Sequence, residues 1–86
     1  MKIGVLGLGV GYALSCALAE AGYVTVGLDT DPEVVANPRR DPSVETLLAR
    51  KASRKRIEKN LRLTSSYGEV ADCNYVIVCV STGDEK

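Results

Sequence analysis

The hydrophobic positions of this chain fall in short unbroken runs separated by polar turns, and the runs predict its elements. Residues 2–6, Lys-Ile-Gly-Val-Leu, are nearly all apolar, as a strand covered on both faces should be. From about Gly11 to Ala21 only Ser15 and Glu20 are polar. That stretch predicts a helix buried over most of its circumference, and its alanines let it approach a sheet closely. Gly22 is a natural stop for the helix. Residues 24–28, Val-Thr-Val-Gly-Leu, are mostly β-branched and apolar and predict a second strand. A strand, a helix and a strand joined by tight turns make a right-handed βαβ unit with a parallel sheet.

The pattern then becomes more polar. Asp31-Pro32 reads as an N-cap followed by proline at the first helical position, and Asn37-Pro38 ends that short helix. Arg39-Arg40-Asp41 is a loop, and Asp41-Pro42 repeats the same start signal before a longer helix. Val44, Leu47 and Leu48 share one face of it. Continuing in steps of about 100° puts Lys51, Arg54 and Lys55 on that face and leaves Ile57 and Leu61 off it. One straight helix cannot bury both sets. The pattern predicts a break near Ser53, or a helix that runs past the sheet into solvent. Residues 61–65 alternate and predict a third strand, and residues 67–72 a short helix or turn. Residues 75–80 are six consecutive apolar positions, suited to a central strand of a parallel sheet.

The joint between the first strand and the first helix carries the candidate chemistry. It reads Gly7-Leu8-Gly9-Val10-Gly11. Glycine there lets the backbone turn sharply and come close to a ligand. A helix N-terminus at the same place offers free N–H groups and the positive end of the helix dipole to a phosphate. Twenty residues after Gly9, at the end of the second strand, stands Asp29. A dinucleotide-binding unit puts the carboxylate that grips a ribose diol at that place. The fold class expected is therefore α/β, a partial Rossmann-type three-layer domain with a parallel four-stranded sheet in the order 3-2-1-4. All 86 residues are read as one truncated dinucleotide-binding domain.

Composition narrows the options. The chain holds no His, so His-based catalysis and His-ligated metals are excluded, and no metal site is expected. Cys16, Cys73 and Cys79 lack metal-ligand spacing and read as small apolar residues of a protein kept in a reducing cytoplasm. No apolar run reaches the roughly 18 residues of a membrane span. Net charge is zero, but nine basic and three acidic residues fall between Arg39 and Arg62. That surplus suits either a phosphate-rich partner or a solvated helix face. No aromatic residue is interleaved with it, which argues against nucleic acid.

The chain resembles the N-terminal part of the nucleotide-sugar 6-dehydrogenases, which act on UDP-glucose, GDP-mannose and UDP-N-acetylmannosamine. Such proteins begin like Met1-Lys2-Ile3-Gly4-Val5-Leu6-Gly7-Leu8-Gly9, continue with Tyr-Val-Gly, and enter a helix ending like Ala19-Glu20-Ala21-Gly22-Tyr23. Val10-Gly11, Asp29, Asp31-Pro32, Leu47-Leu48 and Leu61-Arg62-Leu63-Thr64-Ser65 also match, and Val80-Ser81-Thr82 resembles the family's Val-Pro-Thr-Pro. The resemblance implies that Gly7, Gly9, Val10 and Gly11 line the pyrophosphate of NAD, that Asp29 takes the adenosine ribose hydroxyls, and that Thr82 touches the cofactor. An aspartate at this position repels a 2′-phosphate, which favours NAD over NADP. The family is implied to oxidise a sugar C6 alcohol to a carboxylate in two hydride transfers, using a Cys and a Lys far beyond residue 86. No catalytic residue is therefore expected in this chain, and the nucleotide sugar is a partner only of a full-length parent.

Three departures qualify the likeness. The glycine fingerprint is one residue short, so that strict spacing puts Tyr12 where the third glycine belongs. Val34 stands where relatives often carry a basic residue, and Ser81 and Gly83 replace prolines around Thr82. A fourth strand at an open edge would be free to pair, so a homodimer through that edge is expected. Two alternatives stay open: a β-hydroxyacid-type dehydrogenase fragment, and a stand-alone nucleotide-binding or interaction module without catalysis.

Overall fold

A computed structural model of the chain describes residues 1–79. The end of the expected fourth strand at Val80, together with Ser81, Thr82 and Gly83, lies outside the described residues. The strands are β1 (Lys2–Leu6), β2 (Val24–Leu28), β3 (Leu61–Thr64) and β4 (Tyr75–Val78). They form one parallel sheet in the order β3-β2-β1-β4, with Gly4 opposite Val26 on one side and Val76 on the other. The helices are α1 (Leu8–Glu20), α2 (Pro32–Ala36), α3 (Pro42–Ala49) and α4 (Lys51–Asn60), and a 3-10 turn spans Tyr67–Val70.

The core lies between the sheet and α1, α3 and α4. Leu8, Tyr12, Cys16 and Ala19 of α1 meet Val44 of α3 and Ile57 of α4. On the other face, the 3-10 turn and its neighbour Cys73 pack over Gly4 of β1. Gly22 stops α1 at φ 105°, with Gly22 N–H donating to Ala19 O and Tyr23 N–H to Leu18 O. This is the paired bonding that closes a helix on a left-handed residue. Asp31 and Asp41 cap α2 and α3 as their sequence position predicts, accepting from Glu33 N–H and Val44 N–H.

The helix boundary expected near Ser53 is displaced. The helix break falls at Arg50, three residues before Ser53. Arg50 is extended, with φ −93° and ψ 121°. One extended residue resets the helical phase, so Val44 and Ile57 both turn inward while the lysines of α4 face solvent. Ser53 itself is buried in α4, with its hydroxyl 3.2 Å from Glu20 Oε2. β4 takes the edge that the order 3-2-1-4 gives it: despite its apolar sequence all four residues are exposed, and among the described residues it pairs with β1 alone.

The basic segment is tied to the end of α1. Arg56 donates from Nε to Glu20 O at 2.9 Å and pairs with the Glu20 carboxylate, and Asn60 Nδ2 donates to Ala19 O at 3.0 Å. Arg56 thus serves the Glu20 carbonyl, which the helix C-terminus otherwise leaves unpaired, and Asn60 adds a second donor to the Ala19 carbonyl. The hydrogen bond from Arg56, helped by Ser53 and opposed by burial, holds the Glu20 carboxyl below its ordinary pKa. Ionised Glu20 therefore favours the folded state. That contribution is complete above the usual carboxylate range of about 4.3 and fades as pH falls through the lowered folded value. Glu20→Gln is expected to lower stability in urea unfolding at pH 7, and the difference from the wild type should shrink as the pH is lowered through the acid range.

Candidate functional site

The site is built on the junction of β1 and α1, and one residue makes the turn. Gly7 has φ 97°, a conformation that side chains rarely adopt, and a Cβ there would lie 1.9 Å from Cys79 O. Its N–H donates to Leu28 O at 2.8 Å. Because Gly7 alone connects strand to helix, α1 begins at Leu8, three residues before the expected start near Gly11. Gly9 and Gly11 are therefore helical, and no loop intervenes.

The missing residue of the fingerprint is compensated by Gly11. A Cβ on Gly11 would stand 2.7 Å from Val5 Cγ1 and 3.1 Å from Cys79 Cβ. Gly11 thus lets α1 lie close on β1, the task the third glycine has in the longer fingerprint. Tyr12 points the other way, into the core with Val44 and Ile57, and burial pushes its hydroxyl up to about 12. Gly27, which sequence reasoning passed over, completes the same seam. A Cβ there would meet Leu8 Cδ2 at 2.7 Å and Leu63 Cδ2 at 2.9 Å. A glycine inside a β-branched strand was the available signal.

The first turn of α1 faces a cleft at the carboxyl ends of β1, β2 and β4, where the strand order reverses. Such a switch point is the usual ligand crevice of an open α/β sheet. The cleft has a volume of about 410 Å³ and is lined by Gly7, Gly9, Val10, Asp29, Thr30, Tyr67 and Cys79, with Leu6, Leu28 and Val78 at the strand ends. It brings together four of the six residues expected at the site. Gly11 lies behind it, against the sheet, and Thr82 is outside the described residues. Tyr67 and Thr30 were not expected there. A lone tyrosine in a polar turn carries no periodic signal that could have marked it.

Hydrogen bonding divides the helix amides. Gly11 N–H donates to Gly7 O at 2.8 Å, and Leu8 N–H donates to Asp29 Oδ2 at 3.0 Å. Asp29 Oδ1 accepts from Asp31 N–H at 3.0 Å. Among the described residues the amides of Gly9 and Val10 have no acceptor. Two free donors at a positive helix end, next to a carboxylate, can hold a diphosphate and a neighbouring diol. Gly9 also lacks a reason within the fold. Its φ is not positive, and a Cβ on it would meet nothing within 4 Å.

Comparison with known proteins places this geometry. The model of the UDP-glucose/GDP-mannose dehydrogenase family, NAD binding domain, matches residues 1–86. An uncharacterized protein of Methanocaldococcus jannaschii is 34% identical over 93 aligned positions, which take in all of this chain and 10% of that protein. The structure of the UDP-D-ManNAc dehydrogenase of Pyrococcus horikoshii is similar with a TM-score of 0.76 and 26% identity, over 93% of this chain and 20% of that one. The (S)-3-hydroxybutyryl-CoA dehydrogenase of Ralstonia eutropha shares the fold at a TM-score of 0.75 and 19% identity, over 96% of this chain and 32% of that one. The chain thus spans between a tenth and a third of the length of each of these relatives.

The glycines should separate by role. Gly11→Ala is expected to destabilise the fold by about 1–3 kcal/mol through overpacking against Val5 and Cys79. Gly9→Ala should leave stability unchanged or raise it by up to about 1 kcal/mol, since alanine is the better helix residue. Urea unfolding of the two variants beside the wild type measures both.

Proposed function

This chain belongs to the UDP-glucose/GDP-mannose dehydrogenase family, as its NAD-binding domain, and we propose that it holds NAD for the oxidation of a nucleotide-sugar alcohol to the uronic acid. The observation that carries the reading is Gly9. The fold demands Gly7 and Gly11 sterically but does not demand Gly9, and Gly9 stands bare over the cleft, where its own amide and that of Val10 lack an acceptor among the described residues. A backbone that must admit a pyrophosphate accounts for it.

The Gly9 and Val10 amides would hold the pyrophosphate, with Gly7 and Gly11 fixing the helix that presents them. Asp29 would accept from the adenosine ribose hydroxyls while its other lone pairs keep Leu8 and Asp31 in place. A single carboxylate then braces the turn and reads the cofactor. Its charge opposes a 2′-phosphate, which supports NAD over NADP. Thr82 keeps its proposed cofactor contact, at a position beyond the described residues. Bound NAD supplies the acceptor for a hydride. The chain spans a tenth to a third of the length of these relatives, and it is proposed not to oxidise the sugar by itself. Its three cysteines are all free, which supports a reducing, cytoplasmic setting. Among the described residues no helix is long and apolar enough to cross a membrane.

The exposed β4 edge supports association of two copies of this chain, edge to edge. Tyr75 and Val78 are each more than half exposed, and a free apolar strand edge is a ready pairing surface. Sedimentation should show a dimer that dissociates on dilution, and Ile77→Lys should shift it to monomer. A wild type that stays monomeric at high concentration would defeat this part of the proposal.

Calorimetric titration tests the cofactor site. NAD should bind saturably, and Asp29→Ala should weaken it about 10- to 100-fold, the scale of a hydrogen bond to a charged group. The same substitution should narrow the preference for NAD over NADP, which loss of the Leu8 contact alone would not do. Gly9→Ala should weaken NAD without loss of stability. Wild-type protein that fails to bind NAD at millimolar concentration would overturn the reading.

A further inference from the structure

Building on this reading of the cleft, we infer that Tyr67 is the wall on which the adenine base stacks. The cleft is lined by Gly9 and Val10, whose amides lack an acceptor among the described residues, by Asp29 and by Tyr67. A donor pair, a diol acceptor and an aromatic face are what the phosphate, ribose and base of one nucleotide need. The backbone ties the last two together, since Asp29 N–H donates to Thr64 O at 3.2 Å and Tyr67 follows three residues later. The nucleoside held by Asp29 is therefore the one beside Tyr67.

The ring is bare but its platform is fixed. Tyr67 is 61% exposed, whereas the turn that carries it is anchored on three sides. Ser66 N–H donates to Thr64 Oγ1 at 3.0 Å, Glu69 pairs with Arg62 at 2.8 Å, and Val70 packs over Gly4. An aromatic side chain held at a cleft rim without a cover gains from a flat partner, because stacking removes two apolar faces from water at once. Tyr12 is buried in the core, and Tyr23 and Tyr75 do not line the cleft. Tyr67 is thus the aromatic face that the described residues offer a base there.

The test titrates the purified protein with NAD, AMP and nicotinamide mononucleotide, comparing wild type, Tyr67→Ala and Tyr67→Phe. Tyr67→Ala should weaken NAD and AMP alike by about tenfold, the scale of base stacking on an aromatic ring. It should leave nicotinamide mononucleotide unchanged, and Tyr67→Phe should keep affinity within about twofold. In NMR spectra of the wild type, AMP should move the Tyr67 ring protons upfield. Unchanged AMP affinity in Tyr67→Ala, or an equal loss for nicotinamide mononucleotide, overturns the assignment while NAD binding that depends on Asp29 leaves the cleft reading standing. Absence of NAD binding by the wild type overturns both.

Discussion

The close seating of α1 on the sheet is the constraint on which this structure depends. Three positions permit it, and at each a Cβ would strike a packed neighbour. Gly7 faces the Cys79 carbonyl, Gly11 faces Val5 and Cys79, and Gly27 receives Leu8. Protein interiors are packed near crystal density, so none of these neighbours can withdraw far. The seam fixes the axis of α1, and with it the spot at which the helix N-terminus delivers its two free amides. Function here begins as a packing problem: only a helix this close to β1 can aim its first turn over the strand ends.

The opposite end of α1 is secured by different means. Apolar packing gives way there to hydrogen bonds from Arg56 and Asn60, which serve the last carbonyls of the helix, while Gly22 closes it. Part of the basic surplus between Arg39 and Arg62 is therefore structural. Arg40 pairs with Glu45, Arg56 with Glu20 and Arg62 with Glu69. Exposed pairs of this kind contribute little each, but Arg56 also places α4 against α1, and that placement lets Ile57 enter the core. The lysines of α4 remain on a solvated face.

Much of the architecture was legible because it follows from local rules. The run of residues 2–6, the alanine-rich helix, the Asp-Pro caps and the Gly22 stop each report a preference that acts within a few residues. The parallel order follows from the handedness of strand–helix–strand connections. Boundaries were less legible. The break at Arg50 rather than Ser53 depends on where the inward faces of α3 and α4 must both meet α1, which is a tertiary condition. The start of α1 at Leu8 depends on Gly7 making the turn alone.

The sequence by itself determined the strand–helix–strand unit, the glycine-rich joint and the acid at the end of the second strand, because spacing and side-chain type suffice for these. It could not decide which glycine serves packing and which leaves room for a ligand, since both uses read as the letter G. Tertiary structure decided that Gly11 takes over the packing role of the absent third glycine, because only the neighbours Val5 and Cys79 reveal it. It also gave Asp29 its second contact, on Leu8, and brought Tyr67 to the cleft from 38 residues further along the chain. Those contacts join residues distant in sequence, and their geometry exists only once the sheet has assembled.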